Sequence, residues 1–255
     1  MSQTQTRIIS ALLLVSVFAL VFAVFPDTWV WWLFLAFGGL ILLESMQMLD
    51  MPLPGLFAGV FGVPGYLLCH HYFDVMLGFV AFTWLIRSVL MLYGHKHHYM
   101  GYMLTWIGWI DIAVFTFCLQ QLYFLNTDYL LISAGLIAGI DSCGYFAGKF
   151  YGKMRIIPAI SPNKTLEGYM GAFVWLMVCF LMLLIVRDIQ ILYLTLFLSM
   201  VYVLAITGDL LVSYQKRILG VKDTGSMIPG HGGLLDRFDS WMYVIPFVYL
   251  IALIN

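Results

Sequence analysis

The stretch IISALLLVSVFALVFAVF, residues 8–25, is an uncharged run of 18 residues that directly follows Arg7. As a helix it is about 27 Å long at 1.5 Å per residue, which is close to the thickness of a hydrocarbon core. The run is long for the apolar region of a signal peptide, and no small-x-small cleavage pattern precedes Pro26. We therefore interpret it as a retained first transmembrane helix.

The composition of the whole chain supports this interpretation. The 255 residues are 63% hydrophobic and only 10% charged, with a mean hydropathy of +0.97. Soluble domains are typically about half apolar and about a quarter charged. Four scattered cysteines without a CxxC pair argue against a disulfide framework or a zinc site. The composition indicates an all-α integral membrane protein.

Apolar runs separated by Pro, Gly or charge predict about nine transmembrane helices in a single polytopic membrane domain, residues 1–255. Its N-terminal helices occupy 1–128, and 129–255 carries the helices and polar loops with the chemistry. The predicted spans lie near residues 8–25, 28–48, 54–70, 74–93, 99–121, 129–148, 165–186, 189–212 and 240–254. The third run includes Gly59, Gly62, Pro64 and Gly65, so a broken or re-entrant segment is left open there.

The basic residues predict the orientation. With nine spans and a cytoplasmic N-terminus, ten of the twelve Lys and Arg residues face the cytoplasm, as the positive-inside rule expects. The exceptions are Arg87, which lies within a span, and Arg187. Two substantial loops, near 149–164 and 213–239, then lie on the cytoplasmic side.

Acidic residues inside or at the ends of apolar runs are candidate functional residues, because a carboxylate in hydrocarbon is costly unless it is paired or hydrated. For Glu44 and Asp111, a functional role and a structural one, either an interhelical hydrogen bond or a helix end at the interface, remain equally open. Asp141, Glu167 and Asp209 lie near junctions with the two basic loops. Carboxylates suit Mg²⁺, which shares its shell with water and substrate phosphates, and Lys and Arg neutralise phosphate oxygens.

The loop 213–239 is the most polar part of the chain, with seven of its 25 charged residues and five glycines. Contact with anionic headgroups would explain its basic residues but not the aspartates and glycines between them. Glycines let backbone N–H groups approach phosphate oxygens. No GxxxxGK[ST] motif is present, and GHKHHYM at 94–100 is better explained as a solvated loop than as a metal site. The pattern favours a site for a magnesium-bound polyphosphate.

SYQKRILGVKDTGSMIPGHGGLLDRFD, residues 213–239, closely resembles the signature of the phosphatidate cytidylyltransferases. It departs at Gln215, where the family usually has an apolar residue. DSCGYFAGKFYGK from Asp141 and ISPNKTLEG from Ile160 resemble two further elements of that family. TGDL, which contains Asp209, and the opening TRIISALLL also fit the resemblance.

The resemblance implies a homodimeric enzyme of the cytoplasmic (inner) membrane that converts CTP and phosphatidate to CDP-diacylglycerol and pyrophosphate. It implies a polar site at the cytoplasmic ends of the C-terminal helices, contact with membrane lipids and no nucleic-acid partner. Asp209 and Asp236 would bind Mg²⁺, and a second cation is left open. The implied catalytic residues are Asp209, Lys222, Asp236 and Asp239. The implied substrate contacts are Asp141, Lys149, Ser161, Lys164, Glu167, Lys216, Arg217, Asp223, His231 and Arg237.

Other functions remain open at this point. His231 either contacts phosphate or only fixes its turn. A paralogue that uses another lipid phosphate, or a CTP-dependent lipid kinase, would share the metal and nucleotide site. A transporter whose acids line an ion path is a more remote alternative, because its acids would be expected near the membrane midplane.

Overall fold

The computed structural model describes residues 26–49, 67–69, 71–92, 98–186, 189–228 and 232–254. Within these ranges the chain forms helices joined by loops. The helices are α1 (Asp27–Gln47), α2 (Phe73–Leu92), α3 (His98–Leu125), α4 (Thr127–Tyr151), α5 (Leu166–Val186), α6 (Ile191–Ile218), α7 (Leu235–Phe238) and α8 (Trp241–Ile254).

Six of these helices, α1 to α6, are long and apolar enough to cross a membrane, and α8 is a shorter apolar helix. Seven of the predicted spans are thus confirmed as helices, and six of these are confirmed as candidate membrane spans. The predicted runs at 8–25 and, except for its last residues, 54–70 lie outside the described residues. A helix suits the apolar runs of α1 to α6 because its backbone N–H and C=O groups bond to one another within the segment.

The predicted end of α6 was wrong. The apolar run ends near residue 212, but the helix continues to Ile218 through polar residues. It stops at Gly220, whose φ of 76° lies in the left-handed region that favours glycine. Gly220 N–H donates to Arg217 O at 3.3 Å and Val221 N–H donates to Lys216 O at 3.0 Å. This pair of bonds is a Schellman motif, so backbone capping rather than hydropathy sets the end of the helix.

The described residues divide into two compact units. One combines its described residues up to Gln120 with 215–238, and the other combines 121–214 with 239–254. The first unit therefore contains α1, α2, most of α3, the last turn of α6 and α7. The second contains α4, α5, most of α6 and α8.

In the first unit, small residues and aromatic rings hold α1 against its neighbours. Gly38 of α1 lies against the side chain of Thr116 on α3, where a Cβ would overlap it. Phe37 meets Phe238 of α7 edge to face, with ring centroids 4.9 Å apart. α1 is therefore packed against the segment that carries the polar loop.

In the second unit, α4 and α5 pack backbone against backbone. A Cβ on Gly144 would lie 3.4 Å from Gly168 O, and one on Gly148 would lie 3.6 Å from Gly168 Cα. Small residues of this kind allow helices to approach closely in lipid. Asn126 caps α4 by accepting a hydrogen bond from Asp128 N–H at 2.9 Å. Thr165 caps α5 by accepting one from Gly168 N–H at 3.2 Å.

Candidate functional site

Asp236 is the centre of the polar loop in the first unit. Its Oδ1 lies 2.6 Å from Lys216 Nζ, and the two side chains are only 10% and 11% exposed. Its Oδ2 accepts hydrogen bonds from Thr224 N–H at 2.9 Å and Gly233 N–H at 3.0 Å. Burial opposes ionisation, but the charge of Lys216 and these hydrogen bonds outweigh it and lower the pKa of Asp236. Asp236 is therefore held as a carboxylate.

Glycines allow the loop to fold around this carboxylate. Gly232 has a φ of 83°, and a Cβ on it would lie 3.0 Å from Asp236 Oδ2. Ile228 N–H donates to Gly232 O at 3.0 Å. The glycine-rich sequence thus brings two separate backbone N–H groups to one carboxylate oxygen.

A second Lys–Asp pair lies in the second unit. Lys164 Nζ forms an ion pair with Asp209 Oδ2, and both side chains are partly buried. Ser213 Oγ donates to Asp209 Oδ1 at 3.4 Å. Lys164 comes from the loop between α4 and α5, whose backbone is fixed by Ile156 N–H donating to Lys164 O at 3.3 Å.

Glu167 organises the same loop from the first turn of α5. Its Oε2 accepts hydrogen bonds from Lys153 N–H at 2.9 Å and Met154 N–H at 3.3 Å. Leu166 N–H also donates to Met154 O at 2.8 Å. This geometry gives Glu167 a loop-fixing role, and its contact with nucleotide stays a prediction.

The other predicted site residues lie before, between and after the Lys164–Asp209 and Lys216–Asp236 pairs along the chain. Lys149 Nζ lies 5.6 Å from the centre of the Tyr145 ring, and Arg217 Nη1 donates to Val221 O at 3.4 Å. Ser161 O accepts a hydrogen bond from Lys164 N–H at 3.3 Å. The exposed members of the set are Asp141, Lys149, Arg217, Lys222, Asp223 and Arg237. Asp239 is buried and accepts a hydrogen bond from Ser240 N–H at 2.7 Å, whereas His231 lies outside the described residues.

The structure thus brings Lys216 together with Asp236, and Lys164 together with Asp209. Each pair is described within its own unit, and a Mg²⁺ ion shared by the two aspartates stays a prediction. Among the described residues, no group of three or more His, Cys, Asp or Glu side chains is close enough together to hold a metal ion. Mg²⁺ often binds through one or two carboxylates and completes its shell with substrate phosphates, so these aspartates fit it as donors.

Two acids whose roles the sequence left open have definite partners. Asp111 of α3 forms a buried ion pair with Arg87 of α2, and Thr83 Oγ1 donates to Asp111 Oδ1 at 3.3 Å. Gln215 joins this cluster, because its Oε1 accepts from Arg87 Nη2 at 3.3 Å and its Nε2 donates to Thr105 Oγ1 at 2.7 Å. The departure from the family pattern at Gln215 is therefore accommodated by a polar cluster inside the unit.

Glu44 of α1 is the other acid, and its position could not be read from its neighbours in sequence. It is fully buried against the polar loop, with Oε2 accepting from Leu235 N–H at 2.7 Å and Thr224 Oγ1 at 3.2 Å. A possible signal was the isolation of this carboxylate in an apolar helix, since such a group requires partners from elsewhere in the fold.

Comparison with known proteins gives the family. The model of the cytidylyltransferase family matches residues 5–254. A phosphatidate cytidylyltransferase of Bacillus subtilis (strain 168) is 40% identical over 163 residues, which are 58% of this chain and 60% of the relative. Those of Staphylococcus saprophyticus and Staphylococcus aureus (strain COL) are 33% identical over 184 and 181 residues, in each case 68% of this chain and 68% of the relative. Because the family model matches nearly the whole chain, the protein belongs to the cytidylyltransferase family.

Proposed function

We propose that this protein is a phosphatidate cytidylyltransferase that forms CDP-diacylglycerol and pyrophosphate from CTP and phosphatidate. The observation that carries the proposal is the gathering of Lys216, Thr224 and Gly233 around an ionised Asp236. The lysines and arginines of the segment 213–239 are the groups that a triphosphate and a lipid phosphate require. The similarity to phosphatidate cytidylyltransferases of Bacillus and Staphylococcus supports the same activity.

The reaction needs no Ser or Cys nucleophile, because phosphatidate brings its own phosphate oxyanion. A bond forms between that oxygen and the α-phosphorus of CTP. The bond from the α-phosphorus to the bridging oxygen of the β-phosphate breaks, and pyrophosphate leaves with the electron pair. The protein must align the two oxygens and neutralise their charge, so positioning and electrostatics carry most of the catalysis.

The lysines and arginines of the two loops are proposed to bind the phosphates. Lys164 and Lys216 already lie against carboxylates, so each can orient its ammonium group before substrate binds. Lys222, Arg217 and Arg237 are exposed and can reach phosphate groups that arrive from solvent or from the membrane surface. Asp141 is proposed to orient one of the phosphate-binding bases, Asp223 to contact substrate and Asp239 to act in catalysis.

Asp209 and Asp236 are proposed to be the protein ligands of Mg²⁺. Both present carboxylate oxygens, the donors that this ion prefers, and Mg²⁺ would have to displace the lysine from the oxygen that it binds. When bound, Mg²⁺ would supply further neutralisation of the triphosphate and of the departing pyrophosphate. Replacing each aspartate singly and together tests whether the two act on the same ion.

Membrane placement follows from the helices, and its finer details are proposals. Six helices can span a membrane, and the similar proteins are bacterial, so we place this protein in a cell membrane. The clustering of Lys and Arg in two loops supports a site on the cytoplasmic face. A homodimer is proposed from the family resemblance alone.

The test is an assay of the purified protein in mixed micelles with phosphatidate, Mg²⁺ and CTP labelled at the α-phosphate. A cytidylyltransferase leaves the label in a CDP-lipid and releases unlabelled pyrophosphate. A CTP-dependent kinase leaves the label in CDP. Absence of labelled lipid with phosphatidate, together with turnover of another lipid phosphate, would refute the substrate but keep the reaction type.

A further inference from the structure

Glu44 of α1 contacts the polar loop through hydrogen bonds to two separate parts of it. One partner is the hydroxyl of Thr224, 180 residues away in sequence, and the other is the backbone N–H of Leu235, 191 residues away. Glu44 itself is 0% exposed. A buried carboxyl group costs free energy unless it is hydrogen-bonded, and these contacts satisfy its Oε2.

The shape of the loop is adapted to this carboxylate. A Cβ on Gly225 or on Gly233 would overlap the Glu44 side chain. Neither glycine has a positive φ. The closeness of Glu44, and at Gly233 also of Thr224 Oγ1, therefore requires a small residue there. The two glycines allow the segment at 224–225 and the segment at 233–235 to pack against the Glu44 side chain.

Glu44 and Asp236 bind the same two segments of the loop. Thr224 donates its hydroxyl to Glu44 and its backbone N–H to Asp236. On the other side, Gly233 N–H donates to Asp236 and Leu235 N–H donates to Glu44. The two carboxylates therefore tie the segment at 224 to the segment at 233–235 in parallel.

We propose that Glu44 is a positioning residue that holds the polar loop closed and thereby fixes Asp236 and its lysine for catalysis. The expected effect on CDP-lipid formation rests on the proposed function. The expected effect on the structure of the loop does not. Glu44 acts here as a hydrogen-bond acceptor, so a neutral acceptor of the same size should replace it better than an apolar side chain does.

The test compares Glu44→Gln with Glu44→Leu, since both have about the volume of Glu and only Gln retains an oxygen acceptor. Ser45→Ala is the matched control. Ser45 is buried on the same helix, but its hydroxyl donates to Leu42 O within α1 at 2.8 Å. Thr224→Val removes one partner of Glu44 and leaves the backbone N–H that Asp236 uses.

The first measurement is hydrogen–deuterium exchange of the segment 222–236 in the purified protein. We expect its amides to exchange at least about tenfold faster in Glu44→Leu, to change by less than about threefold in Glu44→Gln, and to match the parent in Ser45→Ala. Thr224→Val should act in the same direction as Glu44→Leu. Adding it to Glu44→Leu should cause little further change, because the two side chains share one interaction.

The second measurement is CDP-lipid formation. Small displacements of a positioned group can cost about 100-fold in rate, so we expect losses of about tenfold to 100-fold in Glu44→Leu and partial retention of activity in Glu44→Gln. Parental exchange and parental kinetics in Glu44→Leu would overturn the proposal. Equal inactivity of the Gln and Leu variants with unchanged exchange would also overturn it, by showing that the charge of Glu44 is what matters.

The two measurements separate the inference from the proposed function. If the parent forms no CDP-lipid, the proposed activity fails, while the exchange data still decide whether Glu44 closes the loop. If Glu44→Leu does not yield folded protein, Thr224→Val carries the test, and parental exchange in that variant would refute the contribution of this hydrogen bond.

Discussion

The buried ion pair between Arg87 and Asp111 predicts a large effect of removing one charge. Asp111→Asn preserves the size of the side chain and leaves Arg87, which is 5% exposed, without the negative charge of its neighbour. Arg87 keeps its contact with Leu104 O at 2.5 Å. Breaking a buried pair from one side typically costs about 3–5 kcal/mol, and an arginine at the centre of a transmembrane helix costs about 2.5–3.5 kcal/mol. We expect a loss of about 3 kcal/mol of unfolding free energy.

The assay is thermal unfolding of the detergent-purified protein, followed by the loss of its monodisperse peak in size-exclusion chromatography. At about 2–4 °C per kcal/mol for a chain of this size, the midpoint should fall by about 6–12 °C. Asp74→Asn is the control, because Asp74 is an exposed acid in the first turn of the same helix as Arg87. Its loss should cost less than about 1 kcal/mol.

A double variant, Arg87→Met with Asp111→Leu, tests the reason for the effect. It removes both charges and fills the space with apolar atoms, so it should recover most of the stability lost in Asp111→Asn. Equal midpoints for Asp111→Asn and Asp74→Asn would show that the pair does not stabilise the fold. A double variant that is less stable than Asp111→Asn would show that the cost comes from lost packing instead of an uncompensated charge.

Three further predictions concern topology and chemistry. In a Cys-free background, a single Cys at Asn163 should be shielded from an impermeant thiol reagent in intact cells and labelled after permeabilisation. A single Cys at Gln190 should be labelled in intact cells. The reverse pattern would show that the orientation is inverted. Lys164→Met should lower turnover or raise the substrate requirement, because it removes a phosphate-binding charge, and unchanged kinetics would leave this lysine a structural role. Asp209→Asn and Asp236→Asn should each abolish most CDP-lipid formation across a Mg²⁺ titration, and losses that multiply in the double variant would show that they do not act as one unit.

Hydropathy was sufficient to predict α1 to α6 and α8 because it is a local property of the chain. The runs near 28–48 and 165–186 correspond within two residues to α1 and α5. The end of α6 was missed since a helix can continue into polar sequence until a capping residue stops it, and here that residue is Gly220. The length of an apolar run predicts how much of the chain lies in the hydrocarbon core. It does not predict where the helix ends.

The candidate site could be predicted as a set of residues but not as a set of contacts. The polar loops indicated which lysines and aspartates were candidates, yet the pairing of Lys164 with Asp209 and of Lys216 with Asp236 depends on the fold. The role of Glu44 could not be predicted from the sequence for the same reason. Its partners lie at the other end of the chain, and nothing in the residues around it points to them.

The close packing of α4 on α5 through Gly144, Gly148 and Gly168 has a mechanical consequence. Helices in backbone contact cannot slide or separate without opening a gap that no side chain fills, so this pair should tilt as one rigid rod when bilayer thickness changes. The loop that carries Lys164 joins the two helices at one end of that rod. Lipid composition can therefore shift the height of this lysine relative to the membrane surface, while the loop itself keeps its shape.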